Sequence, residues 1–120
     1  MAHILVVDDS PTELHVISVA LEKHGHKVST AIDGNNGVEQ ATKLLPDLIL
    51  MDVVMPELNG FQATRQLKKQ DSTVGIPVIM VTTKDQKTDK MWAERQGAKG
   101  YITKPFVEDD LMHEVNRLLA

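Results

Sequence analysis

The sequence predicts an α/β fold in which a doubly wound, parallel five-stranded sheet carries helices on both faces. Three observations lead there. Short apolar runs that read as strands alternate with segments whose apolar residues recur at a helical period. The connections between them are short, and a right-handed crossover between parallel strands can put its helix on either face. Three of the runs are apolar on consecutive positions and two are weaker, as central strands differ from edges. The strand order 2-1-3-4-5 is adopted because it is common among doubly wound sheets, not because the pattern dictates it.

Residues 3–7 (HILVV) suit a first strand covered on both faces. Residues 11–24 then place Leu14, Ile17, Ala20 and Leu21 on one stripe. Ser10 is the expected N-cap, Pro11 the first helical residue and Glu13 the partner that closes a capping box, with Gly25 as a left-handed C-terminal cap. Residues 27–32 alternate and are half polar, which fits an edge strand. Asp33-Gly34 reads as a turn into helix 35–45, which would bury Val38, Ala41 and Leu45 before Pro46 stops it. Residues 48–51 (LILM) form the third strand, and Gly60 opens helix 61–69 with Phe61, Thr64 and Leu67 on one side. The fourth strand is 78–81 (VIMV). Helix 85–96 has Met91, Trp92 and Ala93 as its only apolar cluster, so it should be the most loosely held. A very short strand, 100–102, and helix 107–119, with Leu111, Val115, Leu118 and Leu119 inward, complete the chain.

At 120 residues the chain reads as one domain, 1–120, with no space for an effector module. No apolar run approaches the roughly 20 residues of a membrane span, and the start lacks the pattern of a signal peptide, so a soluble, cytoplasmic protein is expected. Cysteine is absent, which excludes disulfides, thiol catalysis and thiolate metal sites. Thirteen basic and seventeen acidic residues, net -4, are spread along the chain and leave no footprint for nucleic acid. Cations and other proteins are the expected partners.

The acidic pair Asp8-Asp9 follows the first strand, at the end where open α/β sheets bind ligands. Helix capping accounts for Ser10 to Glu13 but not for these two aspartates. Asp52 ends the neighbouring third strand, so three carboxylates should converge in one crevice. Packed together they repel unless a cation intervenes, and Mg2+ suits an all-oxygen site that also takes water and phosphate oxygens. Thr82 ends the fourth strand and Lys104 follows the fifth. Either alone would pass as an ordinary strand or turn residue. Together with the carboxylates they form equipment for placing a phosphoryl group on Asp52, where positioning and charge neutralisation do the work.

The motifs VVDDS, LILMDVVMPELNG, IMVTT and YITKP, in that order, resemble the response-regulator receiver domain over essentially the whole chain. The resemblance implies a CheY-like, flavodoxin-like fold and a set of roles. Asp52 would be the phosphoacceptor. Asp9 would hold Mg2+ directly and Asp8 through water, with the Val54 backbone carbonyl as a further ligand. Lys104 would pair with the phosphoryl oxygens, Thr82 would hydrogen-bond to one, and the Lys104-Pro105 peptide would be cis. Tyr101 would turn inward as Thr82 moves, repacking helix 85–96. Three positions depart from the commonest pattern and are expected to tune the phosphoryl lifetime: Thr83, where a small residue is usual, Val54, which has no polar side chain to hold an attacking water, and Lys84. Outside the site, SPTELHVISVALEKHGH, LNGFQATRQL and VTTKDQKTDKMWAERQGA resemble stand-alone PilH-type receivers of the type IV pilus, twitching-motility pathway. That likeness implies a histidine kinase as phosphodonor and pilus control or phosphate drainage as output. The expected target surface comprises residues 87–95, Tyr101 and residues 107–113, with no enzymatic activity beyond self-phosphorylation and self-dephosphorylation.

Two rival functions share these residues. A small aspartyl phosphohydrolase would use Asp52, Mg2+ and Lys104, but no residues remain for a substrate pocket or cap. A phosphorylation-independent scaffold would not need Asp8, Asp9, Asp52, Thr82 and Lys104 together. His3, His15, His24, His26 and His113 have no spacing that puts two on one helical face, so they read as solvated or capping residues. Trp92 reads either as a partner anchor or as packing on its own helix.

Overall fold

A computed structural model describes residues 1–120. In chain order the elements are β1 (His3–Val7), α1 (Pro11–Lys23), β2 (Lys27–Ala31), α2 (Gly34–Leu44), β3 (Leu48–Met51), α3 (Gly60–Lys68), β4 (Val78–Thr82), α4 (Lys87–Arg95), β5 (Gly100–Thr103) and α5 (Glu108–Leu119). The strands form one parallel sheet of order β2-β1-β3-β4-β5, so the two weaker runs are the edges and the three apolar ones lie inside. No helix is long and apolar enough to cross a membrane.

Strand side chains alternate between two apolar layers, as the period of a strand requires. Leu5, Val7, Ile49, Met51 and Met80 pack with Ala41, Ala63, Leu67 and Ala93 of α2, α3 and α4. Ile4, Val6, Leu48, Leu50, Ile79 and Val81 pack with Ile17 and Leu21 of α1 and with Leu111 and Val115 of α5. Each of these large side chains, taken fully out of water, contributes about 1.5–3 kcal/mol. Removing both faces of the central strands from water is what makes their runs continuously apolar.

Two local expectations are corrected. Leu45 does not continue the α2 stripe. It is 53% exposed and caps the helix in a left-handed conformation, φ 48°, because the chain must leave the helix before Pro46. As expected, α4 is loosely held: Met91 and Trp92 are about half exposed and Ala93 is its one buried residue. The Ser10 hydroxyl does accept from Glu13 N–H, but Glu13 does not close the capping box, since Ser10 N–H donates to Asp8 Oδ1 at 2.9 Å. Element ends otherwise lie within two residues of expectation, and β4 runs on to include Thr82.

Candidate functional site

The sheet's hydrogen bonding delivers the polar residues to one edge. Asp8 N–H donates to Ala31 carbonyl (3.1 Å), Asp52 N–H to Val7 carbonyl (2.9 Å) and Lys104 N–H to Thr82 carbonyl (2.7 Å), extending the ladders one step past the strands. Asp8, Asp52, Thr82 and Lys104 therefore leave the carboxyl edge side by side. Gly60, at the start of α3, closes the floor, since a Cβ there would lie 2.1 Å from Asp52 carbonyl oxygen.

Asp8, Asp9 and Asp52 each offer a carboxylate oxygen, and these atoms lie within 4.8 Å of one another. Asp8 and Asp52 are buried and Asp9 is exposed. An all-oxygen donor set of three like charges, two of them shielded from water, fits a hard divalent cation such as Mg2+. One protein cation also reaches in. Lys104 Nζ lies 2.7 Å from Asp8 Oδ2, 3.7 Å from Glu13 Oε2 and 3.8 Å from Asp52 Oδ2. The Lys104–Pro105 peptide is cis.

Burial pushes the Asp52 carboxyl above the ordinary aspartate value. Lys104 opposes the rise, Asp8 adds to it, and Val54 N–H and the Thr82 hydroxyl draw it back. For Lys104, burial alone would lower the pKa. The hydrogen bond it donates to Asp8 and the charges of Asp52, Asp8 and Glu13 override it and hold the ammonium above its ordinary value.

The remaining predicted residues surround this centre. Val54 is exposed, with its N–H 3.4 Å from Asp52 Oδ1. Thr82 is fully buried, and its hydroxyl accepts from Lys84 N–H at 3.3 Å. Thr83 and Lys84 are exposed on the β4–α4 loop, where Lys84 Nζ lies 3.8 Å from Asp89 Oδ1. Tyr101 stands on β5 and its hydroxyl donates to Lys84 carbonyl at 2.7 Å. Burial, then the charges of Asp89, Asp52 and Asp85, push its phenol up to about 12. Lys84 is thus held from the site side by Thr82 and from the outer side by Tyr101.

Two residues at the site were not expected there. In sequence Glu13 fits half of a capping box, and its spacing from Ser10 gives no sign that it faces a lysine ninety-one positions away. Gly60 in sequence marks only a helix start. The histidines stay apart: His3 bonds Ser29 (2.7 Å), His26 Nδ1 accepts from Ala2 N–H (3.2 Å) and His24 meets Glu108 (3.3 Å). A surface hollow of about 410 Å3 lies away from the carboxylates, between α4 and β5, beside Ala93, Lys99 and Tyr101.

A family model described as response regulator receiver domain matches residues 4–116. The chain is 58% identical over 120 residues to protein PilH of Pseudomonas aeruginosa, covering 100% of this chain and 99% of that protein. Six further curated relatives, among them the response regulator PleD of Caulobacter vibrioides, are longer, and the chain spans between 24% and 51% of their length. The fold matches the chemotaxis protein CheY4 of Vibrio cholerae with a TM-score of 0.94 at 34% identity, over 99% of both chains. The receiver domain of sensor histidine kinase PA1611 from Pseudomonas aeruginosa PAO1, described with a magnesium ion coordinated in its active-site cleft, matches with a TM-score of 0.91 at 31% identity, over 98% of this chain and 97% of that one.

Proposed function

This chain belongs to the response regulator receiver family, and on that premise we propose that Asp52 accepts a phosphoryl group from a histidine kinase and that the resulting charge switches a protein-binding surface. Receiver domains are in general signalling modules, and this reading gives the chain no separate substrate. The observation that carries it is the Lys104 ammonium set between the buried carboxylates of Asp8 and Asp52, at 2.7 and 3.8 Å.

A carboxylate oxygen of Asp52 attacks phosphorus, the bond from phosphorus to the donor's imidazole nitrogen breaks, and an acyl phosphate forms. Asp8, Asp9, Asp52 and the Val54 carbonyl would hold Mg2+, whose chemistry here is to neutralise the carboxylates and the phosphoryl oxygens. Lys104 leaves Asp8 for a phosphoryl oxygen. The Thr82 hydroxyl turns to another, giving up Lys84 N–H. Because Lys84 is also tied to Tyr101, releasing it from Thr82 loosens the tyrosine and the loop into α4. With Ala93 as its one buried residue, α4 has the weakest attachment to the core and is the element such a bias can move.

The output surface on this reading is α4, β5 and α5, around Trp92, Tyr101 and His113, with a protein as its target. Likeness to PilH supports a place in type IV pilus control, either driving output or draining phosphate from a shared kinase in the cytoplasm. Transfer of label from an autophosphorylated histidine kinase to this chain tests the reading. Label should leave the kinase and appear on the wild type but not on Asp52→Asn, and equal labelling of both would overturn it.

A further inference from the structure

Beside the acidic trio stands a fourth carboxylate that the proposed switch leaves idle. Glu13 lies in the first turn of α1 with Oε2 3.7 Å from Lys104 Nζ, against 3.8 Å for Asp52 and 2.7 Å for Asp8. Its local sequence would send it elsewhere, since in a capping box its carboxylate would turn back onto Ser10 N–H. Asp8 Oδ1 already takes that N–H at 2.9 Å, and Glu13 reaches the lysine instead. Exposure places it at the rim: its side chain is 39% exposed, against 9% for Lys104 and 2% for Asp8.

We propose that Glu13 is a positioning residue that holds the Lys104 ammonium on the Asp8 side of the crevice and so competes for it with a phosphoryl group on Asp52. The inference rests on Asp52 being the phosphoacceptor. At equal distance, Glu13 and Asp52 attract the ammonium to similar extents, with Glu13 the more screened by water. Recruiting Lys104 to a phosphoryl oxygen means drawing it from Asp8 and Glu13 together. With Glu13 neutral, only the hydrogen bond to Asp8 has to be given up. The step moves an ion pair and breaks no covalent bond.

Beryllium trifluoride with Mg2+ is a suitable probe, because it occupies the phosphoryl position without any transfer step. It would be titrated by NMR into the wild type, Glu13→Gln and Glu22→Gln, the last removing an exposed carboxylate further along α1. Glu13→Gln is expected to half-saturate at a roughly two- to fivefold lower concentration, the size of a partly exposed ion pair. Glu22→Gln should match the wild type, and all three should be folded at the temperature of the titration. In a Lys104→Met background the gain should vanish, whereas direct repulsion of the anion by Glu13 would persist there. No gain, an equal gain in Glu22→Gln, or an undiminished gain in the Lys104→Met background would overturn the proposal. A wild type that does not take the probe at all would instead remove the phosphoacceptor reading, and this inference with it.

Discussion

Gly60 packs against the backbone of Asp52 so closely that a Cβ would stand 2.1 Å from the Asp52 carbonyl oxygen and 2.9 Å from the methyl end of Met80. The first neighbour is backbone and cannot turn aside. Gly60→Ala should therefore destabilise the chain by about 3 kcal/mol, the upper part of the usual range for overpacking. Because the displaced atoms carry the proposed phosphoacceptor, phosphorylation should slow even at temperatures where the variant is folded. Thermal unfolding and acetyl phosphate labelling of the same sample check both effects.

Asp52 weakens the fold at neutral pH. Its carboxyl is held above the ordinary 3.8, chiefly by burial, so between that value and the raised one the folded chain binds more protons than the unfolded chain. The associated stability is fully present below the ordinary value and is lost as pH rises through the raised one. Asp52→Asn removes this burden while leaving Lys104 its direct bond to Asp8. In metal-free buffer the variant should be more stable at neutral pH by on the order of 1 kcal/mol. The advantage should shrink as pH falls. A difference independent of pH would contradict the assignment.

Lys104→Met should act in the opposite sense. It leaves Asp8, 2% exposed, without its 2.7 Å partner, and unpairing a buried ion typically costs about 3–5 kcal/mol. Urea unfolding in metal-free buffer measures the loss, and added Mg2+ should restore part of it by binding only the folded chain.

Tyr101 is the sole tyrosine, so its ionisation can be followed by ultraviolet absorbance without interference from another phenol. Its midpoint should stand at about 12 in the folded chain, against 10.0 for the unperturbed phenol. The protein in concentrated urea should titrate near the unperturbed value. A folded-state midpoint near 10.0 would mean that the ring stands free of Lys84 and of the acidic residues around it.

Much of the fold was legible because burial on both faces leaves a plain mark. Consecutive apolar residues in ILVV, LILM and VIMV suit strands covered on both faces, and the alternation in KVSTA fits an edge. The strand-end polar residues followed from the fold, since residues that end parallel strands share an edge. Where the structure departs from these patterns, a cap or a contact distant in sequence overrides the local period. Leu45 keeps the helical period but is turned out by the left-handed cap that ends α2, and Glu13 keeps the capping spacing while facing Lys104. Periodicity also says nothing about how closely two backbones approach, which is why Gly60 passed as a helix start.

The central claim is that Asp52 takes a phosphoryl group in a Mg2+-dependent reaction, and intact-protein mass after incubation with acetyl phosphate tests it most directly. The wild type with Mg2+ should gain one phosphoryl group, while Asp52→Asn and the wild type in chelator should gain none. Equal gain by Asp52→Asn would place the phosphoryl group elsewhere, and no gain by any sample would contradict the account.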